Sequence, residues 1–183
     1  MPEPSPSGLD SAADGGRPEA AGVPARDPDL RLEMWSQPRL LAAARGMVDH
    51  LARRVGFDEV TSGQISLAID EALCNVINHG YERRPDGRIT VSIWAEACVD
   101  AAGGNLLVVI EDRARVVDPA TIQGRDLDDI RPGGLGVHII REVMDLVRYE
   151  PRSGGGMRLT MEKRTECGCQ PAADPPAEAL GDG

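Results

Sequence analysis

Glu71, Asn75 and either Asn78 or His79 are spaced i, i+4 and i+7 or i+8 within DEALCNVINHGY (70–81). On a helix, that spacing sets a carboxylate, a carboxamide and a third polar group along one face. Polar groups gain little from helix propensity, so the row is either a solvated face or a set of groups aimed at a ligand. Farther along, Ile110-Glu111-Asp112-Arg113-Ala114 places two acids at the end of an apolar run. A carboxylate there can accept a hydrogen bond from a ligand's amino group, or simply end a strand. The third segment, Arg131-Pro132-Gly133-Gly134-Leu135-Gly136-Val137-His138, clusters glycines where a helix begins. Such glycines let the backbone approach a phosphate, whose charge meets free N–H groups and the positive end of the helix dipole. The alternative is a flexible helix start. It is not a P-loop, since the lysine of G-x-x-x-x-G-K-[ST] is missing. Nor is it a dinucleotide-binding turn, because a loop precedes it and no βαβ unit surrounds it.

The elements that must position these groups follow from hydrophobic period. Leu30, Leu32 and Met34 alternate with polar residues and predict a short strand. After Pro38, a favoured first-turn residue, Leu40, Leu41, Ala44, Met47, Val48 and Leu51 recur at helical spacing up to Gly56. A second helix is expected from about Asp58 to His79-Gly80, with Ile65, Ala68, Ile69, Leu73, Val76 and Ile77 on its apolar face. RITVSIWAE (88–96) and NLLVVIED (105–112) read as strands joined by a turn at 101–104, the second more deeply buried. Residues 113–133, with Pro119, Gly124, Pro132 and Gly133, read as a long loop with one helical turn at most, and a loop of that length inside a compact domain is usually functional. A helix from Gly134–Gly136 to about Asp145 and a closing hairpin, LVRYE and GMRLTMEK around residues 152–155, complete the order β-α-α-β-β-loop-α-β-β. Antiparallel strands with helices on one face make a two-layer α/β sandwich of the α+β class.

The chain has 183 residues and a formal net charge of −10. Its length fits one domain with extensions. Residues 1–27 carry two arginines against five acids, and 166–183 carry four acids and no base. That leaves 18 basic and 21 acidic residues in 28–165, too nearly balanced for a nucleic-acid binder relying on a basic field. Residues 1–27 and 166–183 are rich in Pro, Gly and Ala with few large apolar side chains, and are expected to be disordered tails around a domain at 28–165. No run reaches the roughly 18–20 apolar residues of a membrane span, and no basic stretch followed by an apolar one opens the chain, so a cytoplasmic protein is expected. Cys74 and Cys98 read as small core residues. Cys167 and Cys169 read as part of the tail, since a zinc site takes about four ligands and no histidine lies near them.

In order and spacing, DEALCNVINHGY (70–81), VIEDRARVVDP (109–119) and RPGGLGVHIIREVMDLVRYE (131–150) resemble the N box, G1 box and G2 box of the GHKL (Bergerat-fold, histidine-kinase-like) ATPases. The likeness is greatest to the anti-sigma-factor serine/threonine kinases of bacterial partner-switching pathways. It implies that Asn75 holds Mg²⁺ between the phosphates of ATP and that Glu71 is the general base toward an attacking hydroxyl. Asp112 would pair with the adenine amino group. Gly134, Leu135 and Gly136 would cradle the phosphates under a lid at 125–133, with Arg131 contacting the terminal phosphate. Asn78 and His79 would be structural. The G1 box usually carries glycine where this chain has Ala114: either the turn tolerates a methyl or adenine binds more weakly, with Arg113 and Arg115 available to compensate.

The implied activity is phosphorylation of a Ser or Thr on a STAS-type anti-sigma-factor antagonist by a domain that otherwise holds a sigma factor; the likeness suggests a homodimer, without direct contact to nucleic acid or membrane. The competing expectation is a nucleotide-dependent protein-binding module without phosphoryl transfer. Glu71 weighs against it, because a carboxylate facing phosphates is costly unless it does chemistry or meets the metal. A sensor histidine kinase fragment fits less well, as residues 1–27 cannot form a helical phosphoacceptor domain.

Overall fold

The computed structural model describes residues 22–97, 104–122 and 135–165. Strand β1 is Leu30–Trp35, and a single 3-10 turn at Pro38–Leu40 leads into helix α1, Leu41–Val55. Pro38 stands in the first turn, where its missing N–H costs nothing. Gly56 caps α1 in the left-handed region. Asp58 then starts helix α2, Glu59–Asn75, by accepting the Thr61 N–H at 2.7 Å.

Helix α2 does not end at Asn75. It runs on through one wide turn, Val76–Gly80, closed by the Tyr81 N–H reaching five residues back to Val76 O at 2.9 Å; beyond it the Arg83 N–H reaches six residues back to Ile77 O at 2.8 Å. Such i→i+5 turns are rare and cluster at functional sites. Glu82 and Arg83 follow with positive φ, 52° and 64°, a conformation that disfavours residues bearing a Cβ. The loop they begin is docked from β1: Ser36 N–H donates to Gly87 O, and Gly87 N–H to the Ser36 hydroxyl.

Strands β2 (Arg88–Glu96) and β3 (Gly104–Asp112), helix α3 (Leu135–Val143), and strands β4 (Leu146–Pro151) and β5 (Met157–Thr165) complete the chain. All pairings are antiparallel and the order is β1-β2-β3-β5-β4, so β5 enters between β3 and β4. Pleat parity turns Ile89, Val91, Ile93, Leu106, Val108, Ile110, Leu159 and Met161 toward the helices, and with α1 and α2 they form the main core. Helix α2 lies between α1 and α3. Its flanks therefore carry small residues, Ser62, Ser66, Ala68 and Ala72, all buried. The α+β two-layer sandwich with helices on one face is the arrangement the periodicity predicts.

Several element ends differ from the sequence reading by one or two residues, with β4 taking in Pro151 and β5 spanning Met157–Thr165. Helix α3 stops at Val143, two residues short of Asp145, and Gly104 belongs to β3 rather than to the preceding turn. Residues 22–27 lead into β1, and Arg26 O accepts the Trp94 indole N–H at 3.1 Å while its guanidinium meets Asp29 and Glu96. No helix among the described residues is long and apolar enough to cross a membrane.

Candidate functional site

Helix α2, the turn after β3 and the start of α3 surround a cavity of about 800 Å³, within the roughly 300–1,000 Å³ usual for small-molecule sites. Glu71 and Asn75 are one helical turn apart on α2 and line it together with Leu135 and Gly136 of α3. Gly136 sits on the Glu71 carboxylate: a Cβ there would lie 2.5 Å from Glu71 Oε2 and 3.6 Å from Asn75 Nδ2. A Cβ at that position would have to displace the end of the Glu71 side chain. Asn75 Nδ2 is buried and has no partner among the described residues, an arrangement that costs free energy unless a ligand completes it.

Asp112 lies at another part of the wall, 5% exposed at the end of β3. Its Oδ1 accepts two backbone N–H groups, from Ala114 at 2.8 Å and from Met157 at 3.1 Å. The other carboxylate oxygen is left for a donor from the cavity. Ile110, Met157, Leu159 and Val117 supply apolar surface beside it, as a planar base requires. Burial pushes the Asp112 carboxyl above the ordinary 3.8, while the two N–H bonds and the Arg152 charge pull it partly back. A folded-state value above the unfolded one means the native protein holds this proton more tightly, so stability falls as pH rises through the interval just above 3.8. A ligand's amino group would favour the opposite state, because only the ionised carboxyl is a full acceptor for it. Adenine-nucleotide affinity, followed by calorimetry at falling pH, is expected to weaken before an ordinary aspartate would titrate. Asp112→Asn, with no proton to gain, should give a flatter profile.

Ala114 is accommodated. It is not among the positive-φ residues, so its methyl meets no left-handed strain. The methyl rests against Gly80, where an added Cβ would stand 3.0 Å from Ala114 Cβ; the small residue absent from the turn is present on α2's extension. Asn78 and His79 are exposed on the wide turn, and Asn78 Oδ1 accepts from Arg83 Nε at 3.2 Å, a local tie that holds the left-handed pair. Cys74 differs from the core reading: it is half-buried and lines the cavity, and burial raises its thiol pKa. Arg115 lines the cavity as well. Arg131 and Gly134, like Cys98, Cys167, Cys169 and residues 125–133, lie outside the described residues. Sequence reasoning missed Tyr149, whose buried hydroxyl has no partner among the described residues and which lines the cavity. It also missed Tyr81, buried beneath the Asp112 turn.

The profile of the family described as "Histidine kinase-like ATPase domain" matches residues 34–163. The serine-protein kinase RsbW of Listeria monocytogenes serotype 4a is 27% identical over 143 residues, covering 75% of this chain and 90% of that protein. The serine-protein kinase RsbW of Bacillus subtilis is 22% identical over 136 residues, covering 72% and 83%. Among solved structures, the RsbU and RsbW domains of a Mycobacterium tuberculosis protein match with a TM-score of 0.50 at 21% identity, over 76% of this chain and 34% of that one, a likeness of fold. The matched span runs from β1 to β5 and takes in Glu71, Asn75, Asp112 and Gly136. The chain belongs to the histidine kinase-like ATPase family.

Proposed function

We propose that this protein is an ATP-binding anti-sigma regulatory factor that phosphorylates a Ser or Thr of a STAS-type anti-sigma-factor antagonist. In its unswitched state it would hold a sigma factor, as a cytoplasmic homodimer formed by the domain at 28–165. The observation that carries the reading is the meeting of Glu71 and Asn75 with Gly136, in one cavity with the buried acceptor Asp112.

Asp112 takes the adenine amino group on its free oxygen, and the apolar residues around it flank the base. Leu135 and Gly136 bring the N-terminus of α3, with its free N–H groups, to the phosphates. By the family resemblance, Gly134 would join the phosphate cradle and Arg131 would contact the terminal phosphate. Among the described lining residues, the carboxylates Glu71 and Asp112 are matched by one guanidinium, Arg115, so a triphosphate brings excess negative charge. A Mg²⁺ ion fits that deficit, and the buried, unpartnered amide of Asn75 fits the ion, since half a turn about its side chain exchanges nitrogen for oxygen. Bound there, it would offset phosphate charge. Glu71 accepts the proton of the attacking hydroxyl as its oxygen bonds to the γ-phosphorus and the bond to the departing ADP breaks.

A pull-down from the native cell with and without Mg·ATP, followed by incubation with γ-labelled ATP, tests this. Label on a Ser or Thr of a captured partner is the expected result. ATP uptake without transfer to any captured partner would leave the nucleotide-dependent binding module instead.

A further inference from the structure

Tyr81 follows the wide turn of α2 and is 4% exposed. Its hydroxyl donates to Arg88 O at 2.6 Å and accepts the Arg113 N–H at 2.9 Å, which uses its one proton and one lone pair. The Arg113 N–H belongs to the peptide unit whose carbonyl is Asp112 O. That carbonyl accepts from Arg152 Nη1 at 2.7 Å. Both polar ends of the peptide after Asp112 are therefore held by side chains from outside its own strand.

Two glycines permit the arrangement. Gly156, at φ +84°, packs so closely that a Cβ would overlap Asp112 O and crowd Arg113 Cα. Gly87 leaves room for the Tyr81 ring, which a Cβ at that position would overlap. With Oδ1 tied to Ala114 and Met157 and the peptide pinned on both sides, Asp112 has little freedom to turn its remaining oxygen.

We propose that Tyr81 and Arg152 are positioning residues for base selection: they hold the Asp112 peptide so that the free carboxylate oxygen meets a 6-amino purine and rejects a 6-oxo one. The inference rests on the nucleotide reading above and adds how its selectivity is set. It also ties the base site to the helix that carries Glu71 and Asn75, since Tyr81 is continuous with that helix. A hydroxyl that merely satisfied two buried backbone groups would stabilise the fold without discriminating between bases.

The test compares affinities for Mg·ATP and Mg·ITP, in which a carbonyl oxygen replaces the amino group, by calorimetry. Tyr81→Phe keeps the ring and removes both hydrogen bonds. It is expected to lower the ATP-over-ITP preference about three- to tenfold, the factor one or two modest hydrogen bonds are worth, mainly through weaker ATP binding. Adding Tyr81→Phe to Asp112→Asn should change the ratio no further, because the two act as one unit. Arg152→Met, at a partly exposed side chain, gives the same comparison should Tyr81→Phe fold poorly, and Arg152→Lys should restore part of the preference. Equal losses for both nucleotides, or an unchanged ratio in the variants, would overturn the assignment while leaving the nucleotide site intact. No ATP uptake by the unmutated protein would overturn the nucleotide reading itself, and this assignment with it.

Discussion

Replacing Glu71 with glutamine is expected to slow phosphoryl transfer about 10²- to 10⁴-fold, the range general-base catalysis usually supplies, while ATP still binds. The amide keeps the shape of the side chain that packs against Gly136, so the wall of the cavity should not collapse. What it loses is the lone-pair basicity that takes the hydroxyl proton. It also loses a negative charge near the phosphates, so ATP affinity should hold or tighten. Initial rates with γ-labelled ATP and saturating partner, set beside calorimetric affinity, separate the two effects. Transfer at the unmutated rate would remove Glu71 from its role as base. Parallel collapse of rate and affinity would make it a binding residue instead.

The layout behind this expectation was legible in the chain because it rests on local signals. Helical spacing alone puts Glu71 and Asn75 on one face, Asp58 and Gly56 punctuate the helices, alternation marks β2 as far as Ile93, and an unbroken apolar run marks β3. What stayed hidden depends on contacts between segments distant in sequence. Nothing in VINHG announces a turn one residue wider than an α-helix, nor does any residue type at Glu82 and Arg83 favour positive φ. The insertion of β5 between β3 and β4 is a matter of topology, which periodicity does not encode.

Ala114 illustrates the difference most directly. Judged against the G1 box pattern it is a departure, because local pattern treats each position as if its neighbours in space were constant. In the fold its methyl occupies the space that Gly80 leaves, and its N–H still serves Asp112. A departure in one box is absorbed by a residue in another, 34 positions earlier in the sequence. Tyr81 escaped notice for a related reason. A tyrosine after a helix-ending glycine looks like an ordinary core aromatic, and only the three-dimensional approach of the Arg88 carbonyl and the Arg113 N–H gives its hydroxyl a task.

Gly136→Ala is expected to separate activity from stability. In a helix, alanine is favoured over glycine by up to about 1 kcal/mol, so thermal unfolding should shift little, or slightly upward. The added Cβ, however, would stand 2.5 Å from Glu71 Oε2, closer than any real contact. Either the start of α3 retreats or the Glu71 carboxylate swings away, and both relieve the overlap at the expense of alignment. The helix N-terminus then no longer meets the phosphates opposite Asn75, and the base no longer faces the hydroxyl. Misplacement by about 1 Å can cost roughly 10²-fold in rate, so transfer should fall by that order, with weaker ATP binding accounting for part of it. Paired melting curves and transfer rates check the contrast. A variant that keeps its melting temperature and transfers within twofold of the unmutated protein would show that the close approach of α3 to Glu71 is not part of the working site.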